Sequence, residues 1–361
     1  MFTLSIDLDF SYLPISNPFS TSQSTPMTRT LCSRRPRVLI LGRNLADKTA
    51  VEELERIADV YNLLPVPEDK VRQAIADKVE SDGPFDAVTA LFSSDPFPWK
   101  FGPEQFASLA PHTKLYVRPG AGFDSVDVDW ITSTGAYFAN CPEEVGVRTA
   151  DGALSLILTI ARGLNTQYLS ARAGNWRDPS VKALNWRGKT LGIFGLGNIG
   201  TQVANSASAL GFKIIYNNRS VVRGSRYEWV SKEDLLKRAD IILVLVPLTE
   251  ATRHFIDEKA FAQAKDGVIL VNVARGPVVN EQHLVDALES GKVLRAALDV
   301  FEREPEIHPK LRENKNVYVT PHVLAATEDI SEVSANEALR NIVQFFKTGR
   351  PNTPINEPKG H

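Results

Sequence analysis

Three ionisable residues in the C-terminal half of the chain each stand just after an apolar run: Arg275 in Val271-Asn272-Val273-Ala274-Arg275-Gly276, Glu304 in Asp299-Val300-Phe301-Glu302-Arg303-Glu304-Pro305, and His322 in Thr320-Pro321-His322. Open α/β sheets collect their ligands at such strand ends. Histidine titrates near neutral pH and can pass a proton, while arginine offers a planar fork of donors to a carboxylate. Arg275 and Glu304 lie about one βα unit apart, and His322 follows within another, so all three can converge on one crevice. Singly, each has a bland reading: a strand-end ion pair for Arg275, a solvated loop acid for Glu304. His112 and His308 read as surface or satisfied core residues and receive no role.

The strongest single motif is Leu191-Gly192-Ile193-Phe194-Gly195-Leu196-Gly197-Asn198-Ile199-Gly200. Its GxGxxG follows an apolar strand and opens a helical pattern over 199–210, the context in which such glycines bind a dinucleotide. Gly195 permits the tight turn, Gly197 lets backbone N–H groups approach a pyrophosphate, and Gly200 lets helix pack on strand. Without a ligand, the same residues would be a plain glycine turn. The next strand ends at Tyr216-Asn217-Asn218-Arg219-Ser220, where an NAD site carries an acid for the ribose 2′-hydroxyl. Here Asn218 replaces that acid, and Arg219, Arg223 and Arg226 follow. A guanidinium holds a 2′-phosphate by parallel hydrogen bonds, whereas a carboxylate repels it. The expected cofactor is NADP(H), with NAD(H) as the weaker alternative; the bland reading of the arginines is a solvated loop.

With Val246-Pro247-Leu248-Thr249, these segments resemble the D-isomer-specific 2-hydroxyacid dehydrogenase family from about Val38 to Pro351. The Asn218-Arg219-Ser220 strand end is similar to the NADPH-preferring glyoxylate and hydroxypyruvate reductases of that family. The resemblance implies an enzyme that reduces a small 2-keto acid to the D-2-hydroxy acid, with His322 as acid, Glu304 as its partner, and Arg275 on the substrate carboxylate and carbonyl. It also implies cofactor contacts from Thr149, Gly195, Leu196, Gly197, Asn198, Ile199, Gly200, Asn218, Arg219, Ser220, Val246, Pro247, Thr252, Val273, Ala274, Asp299 and Ala325. The segment Arg118-Pro119-Gly120-Ala121-Gly122-Phe123-Asp124 matches the family's glycine loop, in which Ala121 and Gly122 would hold the substrate carboxylate beside Arg275 and His322. The same loop could be only a glycine turn after a strand. Asp124 and Asp127 read as structural. The aromatic stretch Phe92 to Trp99 departs from the family's small residues there; it would either wall the substrate pocket or make a plain hydrophobic contact. No metal site is expected. A dinucleotide-sensing binding protein, like the corepressors that resemble this family, is the alternative function, and formate dehydrogenases are a minor one.

These residues need elements to hold them. Apolar runs at Val38 to Leu41, Ala87 to Phe92, Leu115 to Arg118, Leu191 to Phe194, Ile214 to Tyr216, Ile241 to Val246, Val268 to Val273 and Val317 to Thr320 alternate with helical patterns. This is the rhythm of parallel sheets, and near-continuous apolar runs are those of strands buried on both faces. The fold class is therefore α/β, with two Rossmann-like or flavodoxin-like lobes of parallel sheet and the active site in the cleft between them. Residues 37–147 plus 326–350 are expected to form the substrate lobe and 148–325 the dinucleotide lobe. A helix from Ala150 to Gly163 should cross between them, and one from Val333 to Lys347 should return. Residues 1–36, rich in Ser, Thr and Pro, read as an extension without fixed structure, and 351–361 as a tail.

Composition sets the remaining bounds. The 361 residues suffice for two domains, and 43% apolar with 23% charged residues is ordinary for a globular chain. A net charge of -2 leaves no basic excess for nucleic acid. Two cysteines, Cys32 and Cys141, are too few for a disulfide framework and fit a reducing compartment. A cytoplasmic location is expected, with a mitochondrial one only if translation starts at Met27, after which Arg29, Arg34, Arg35 and Arg37 occur without an acid. No run is long enough to span a bilayer. The family resemblance, with apolar residues such as Leu169, Ala171 and Trp176 after the crossing helix, leads to an expected homodimer.

Overall fold

The structure, a computed structural model, describes residues 34–43, 45–91 and 101–358. The first strands, β1 (Arg37–Gly42), β2 (Asp59–Leu63), β3 (Ala87–Leu91), β4 (Leu115–Pro119) and β5 (Tyr137–Cys141), form a five-stranded sheet in the order β2-β1-β3-β4-β5. Next come β6 (Thr190–Phe194), β7 (Lys213–Asn217), β8 (Glu228–Trp229), β9 (Ile241–Val244), β10 (Val268–Asn272), β11 (Val293–Leu298) and β12 (Val317–Val319). They form a seven-stranded sheet in the order β12-β11-β10-β9-β6-β7-β8, and the pairings in both sheets are parallel. Each apolar run expected as a strand overlaps one, and the molecule is the Rossmann-like α/β fold with two parallel sheets. The glycine-rich turn follows β6, where strand order reverses, the position at which such sheets bind ligands.

A helix, Pro142–Arg162, carries the chain from β5 towards the second sheet. It begins earlier than the apolar periodicity indicates, because Pro142 pre-sets the first helical turn and Glu143 and Glu144 complement the helix dipole there. It buries Ala153, Leu156, Ile157 and Ile160 against Leu191, Ile193 and Leu243 of the second sheet. Its C-terminus stops at Gly163, which adopts a left-handed φ of 61°.

Both ends of this helix are held by buried charges from elsewhere. Glu337, 3% exposed, accepts the backbone N–H groups of Glu143 at 3.1 Å and Glu144 at 3.2 Å. At the other end Arg295, on β11 and 3% exposed, donates to the carbonyls of Ile160 and Ala161 at 3.3 Å and of Lys182 at 2.7 Å. A carboxylate at the N-terminus and a guanidinium at the C-terminus each complement the helix dipole.

Glu337 belongs to the helix Ile330–Thr348, which returns to the first sheet. There Ala335, Ala338, Leu339 and Ile342 share a core with Val38, Ile40, Leu115 and Val117. Beyond it, residues expected as a tail are stitched to β5. Asn356 accepts the Phe138 N–H at 2.6 Å and donates to the Ala136 carbonyl at 2.9 Å. Among the described residues no helix is long and apolar enough to cross a membrane, and Cys141 is buried as a free thiol.

Candidate active site

Arg275 follows β10 on a turn shaped by Asn272, whose buried side chain donates to the Arg275 carbonyl at 3.1 Å and accepts the Ala274 N–H at 3.1 Å. The next residue, Gly276, has no room for a side chain: a Cβ there would lie 1.8 Å from the Phe301 carbonyl carbon. That contact presses the Arg275 turn onto the loop carrying Glu304. The Arg275 guanidinium reaches the loop after β4, where Nε donates to Asp124 Oδ1 at 2.9 Å. Its Nη1 donates to the Ala274 carbonyl at 2.7 Å, and Nη2 lies over Gly122, where a Cβ would approach to 1.6 Å.

Glu304 and His322 form a pair. His322 Nδ1 lies 3.0 Å from Glu304 Oε2, and Glu304 Oε1 accepts the Phe301 N–H at 2.9 Å. The Glu304 bond raises the His322 pKa above its ordinary 6.5, against the opposing effects of burial and the nearby Arg275 charge. Burial pushes the Glu304 carboxyl up, but the bonds from His322 and Phe301 and the charge of Arg275 hold it below its usual value. Nδ1 is thus committed to Glu304, leaving Nε2 as the ring atom for a substrate.

His322 itself has a left-handed φ of 55°, which costs free energy for a residue with a side chain. Asp299, 3% exposed, holds the loop in that shape. Its backbone carbonyl accepts the His322 N–H at 2.8 Å, and its Oδ1 accepts from Thr320 Oγ1 at 2.6 Å and the Val323 N–H at 3.0 Å. Burial raises the pKa of Asp299 in spite of these bonds. Asp299, a residue expected at the cofactor, also braces the His322 loop with its carboxylate.

The glycine-rich turn fits a dinucleotide. Gly195 has a φ of 104°, and a Cβ there would strike the Leu245 backbone at 2.9 Å; a Cβ on Gly200 would strike the Gly195 carbonyl oxygen at 2.3 Å. At Gly197 a Cβ would meet nothing within 4 Å, in front of the helix Asn198–Ala209, whose N-terminus has no side-chain cap. Open space before uncapped N–H groups suits a pyrophosphate. Asn218 braces this turn, accepting the Leu196 N–H at 2.7 Å and donating to the Leu196 carbonyl at 3.3 Å. Arg219 and Ser220 are exposed beside it. Tyr216, buried beneath, accepts the Val222 N–H at 2.9 Å through its hydroxyl, which fixes the arginine loop. Arg226 is turned to Asn205 and Tyr227.

Residues 154–323 match the model described as D-isomer specific 2-hydroxyacid dehydrogenase, NAD binding domain. The 4-methyl-2-oxopentanoate reductase A of Aspergillus oryzae is 34% identical, covering 86% of this chain and 95% of its own length. The chain belongs to the D-isomer-specific 2-hydroxyacid dehydrogenase family. Among solved structures of dehydrogenases, a glyoxylate reductase from Paecilomyes thermophila superposes with a TM-score of 0.82 at 31% identity, covering 90% of this chain and 99% of that one. An NADPH-dependent glyoxylate/hydroxypyruvate reductase from Sinorhizobium meliloti, in complex with NADP and malonate, does so with a TM-score of 0.72 at 26% identity, covering 89% and 97%.

In this member of the dehydrogenase family, several residues expected at the cofactor also make bonds within the scaffold. Thr149 Oγ1 donates to the Val145 carbonyl at 2.8 Å inside the crossing helix, and Asn198 Nδ2 donates to the Pro142 carbonyl at 3.0 Å. Thr252 Oγ1 closes the loop after β9 by donating to the Pro247 carbonyl at 2.6 Å, which sets Val246 and Pro247. Ile199 and Ala325 are half-buried, while Val273 and Ala274 are each 8% exposed. The Ala121 carbonyl is held by Asn140 Nδ2 at 2.8 Å, which fixes the glycine loop facing Arg275. Asp124, read from sequence as structural, meets the guanidinium directly. Phe92 to Trp99 lies outside the described residues.

Proposed function

We propose that the protein reduces a small 2-keto acid of the glyoxylate or hydroxypyruvate class to the D-2-hydroxy acid with NADPH. The observation that carries this reading is the convergence of the His322–Glu304 pair and Arg275 from separate strand ends. NADPH, when bound, supplies the hydride. The Gly197 turn would take its pyrophosphate and Arg219 its 2′-phosphate. Arg275 binds the substrate carboxylate and draws electron density onto the keto oxygen, a task for which its fork of donors is suited and a lysine ammonium is not. Protonated His322 gives its Nε2 proton to that oxygen as it becomes an alkoxide, and Glu304 stabilises the imidazolium beforehand.

The substrate lobe is assigned to 37–147 plus 326–350, the dinucleotide lobe to 148–325. Steady-state rates with glyoxylate, hydroxypyruvate and a bulky aromatic keto acid, each with NADPH and NADH, test the reading. A preference for NADPH with the small keto acids is expected; no turnover with any of them would refute it. A homodimer completes the proposal, since Tyr168, Leu169 and Trp176 are 63%, 53% and 83% exposed. Sedimentation at micromolar concentration showing a 39.8 kDa species would refute the dimer.

A further inference from the structure

The ion pair between Arg275 and Asp124 joins the two sheets, since Asp124 follows β4 and Arg275 follows β10. A solvated surface pair of this kind would contribute little. This one differs in what it does to the guanidinium. An arginine side chain turns freely about several bonds, but here Nε is bound to Asp124 and Nη1 to the Ala274 carbonyl, so both the plane and the roll of the fork are set. The remaining nitrogen, Nη2, is left over Gly122, where the absence of a Cβ admits it. Asp124 carries a full charge for this purpose: burial pushes its carboxyl up, yet the charge and bond of Arg275 hold it below its usual range.

We infer that Asp124 is a positioning residue that orients the Arg275 guanidinium across the cleft, an inference that rests on the reductase reading above. Its carboxylate also partly neutralises Arg275, so ground-state attraction for an anionic substrate is weaker than a bare guanidinium would provide. Orientation and attraction therefore separate on mutation. Asp124→Ala frees the fork but strengthens its pull on a carboxylate. Asp124→Asn keeps an oxygen acceptor for Nε–H and removes only the charge.

The test is steady-state kinetics of the full-length wild type and both variants with glyoxylate and NADPH, together with NADPH affinity from intrinsic fluorescence. For Asp124→Ala, kcat is expected to fall about tenfold or more while KM stays level or drops, the pattern of a lost transition-state interaction. Asp124→Asn should recover kcat to within about threefold of wild type, because the acceptor is restored. NADPH affinity should be unchanged in both. Wild-type kinetics in Asp124→Ala, an Asn variant as poor as the Ala variant, or a joint loss of NADPH affinity would each overturn the inference. A wild type that reduces no keto acid overturns the reductase reading as well, whereas an active wild type matched by Asp124→Ala overturns the positioning role alone.

Discussion

Glu304 divides its two oxygens, one accepting from His322 Nδ1 at 3.0 Å and the other from the Phe301 N–H at 2.9 Å. The acid partner is thereby locked to its own loop while it raises the pKa of the imidazole. Reduction requires protonated His322, and a raised pKa keeps that form present to higher pH. The rate should therefore be complete at low pH and be lost as pH rises through a value above 6.5. Glu304→Gln removes the largest raising influence, so the loss should move to lower pH. A pH profile of kcat/KM that does not move would assign the role to another carboxylate.

Gly276 admits the Phe301–Glu302 peptide where any side chain would overlap it. Gly276→Ala must therefore push the Arg275 turn away from the Glu304 loop. A displacement of about 1 Å at reacting groups costs up to about a hundredfold, so kcat/KM should fall about 10–100-fold. NADPH binding, read by fluorescence titration, should survive, because the glycine turn after β6 is untouched.

Cofactor choice should reverse with Arg219→Ala combined with Asn218→Asp. An aspartate keeps the acceptor that holds the Leu196 N–H, so the turn stands, while its charge repels a 2′-phosphate. Losing a charge-assisted pair costs about 1.5–3 kcal/mol, so NADPH should bind at least about tenfold more weakly while NADH binding improves. Unchanged NADPH affinity would leave the arginine loop as solvated surface.

Glu337→Ala strips the cap from the crossing helix and leaves two part-buried N–H groups without their carboxylate. A loss of about 2 kcal/mol in stability is expected, with about half of it for Glu337→Gln, which retains one oxygen acceptor. Chemical denaturation followed by far-UV circular dichroism reads both.

The strands that carry the site were legible because burial on both faces makes them apolar throughout, as in β6 and β10. Others were hidden for definite reasons. β11 is interrupted by Arg295, which stays buried by capping a helix, and β5 carries Asn140, which holds the glycine loop. β2 and β8 are sheet edges, half-exposed or exposed, so their patterns look like loop. Among the site residues, Arg275, Glu304 and His322 stand out because each lies on a loop that follows a strand within one contiguous half of the chain. Asp124 does not, since its partner is 151 positions away and only the packing of the loop after β4 against the loop after β10 brings them together. The same is true of Glu337, whose contact with Glu143 spans 194 positions.

That last separation has a consequence for how the molecule is made. Synthesis delivers β1 to β5 before the second sheet, yet the helix that covers β4 and β5 and the asparagine that stitches β5 are made only after that second sheet. Until Ile330–Thr348 has emerged, the amides of Glu143 and Glu144 lack their carboxylate, and Val38, Ile40, Leu115 and Val117 lack the core that encloses them. The seven-stranded sheet has all its strands before then. The five-stranded sheet, translated before the seven-stranded one, is thus completed after it, and a chain cut short after Leu324 would keep a whole nucleotide-binding sheet beside an unfinished one.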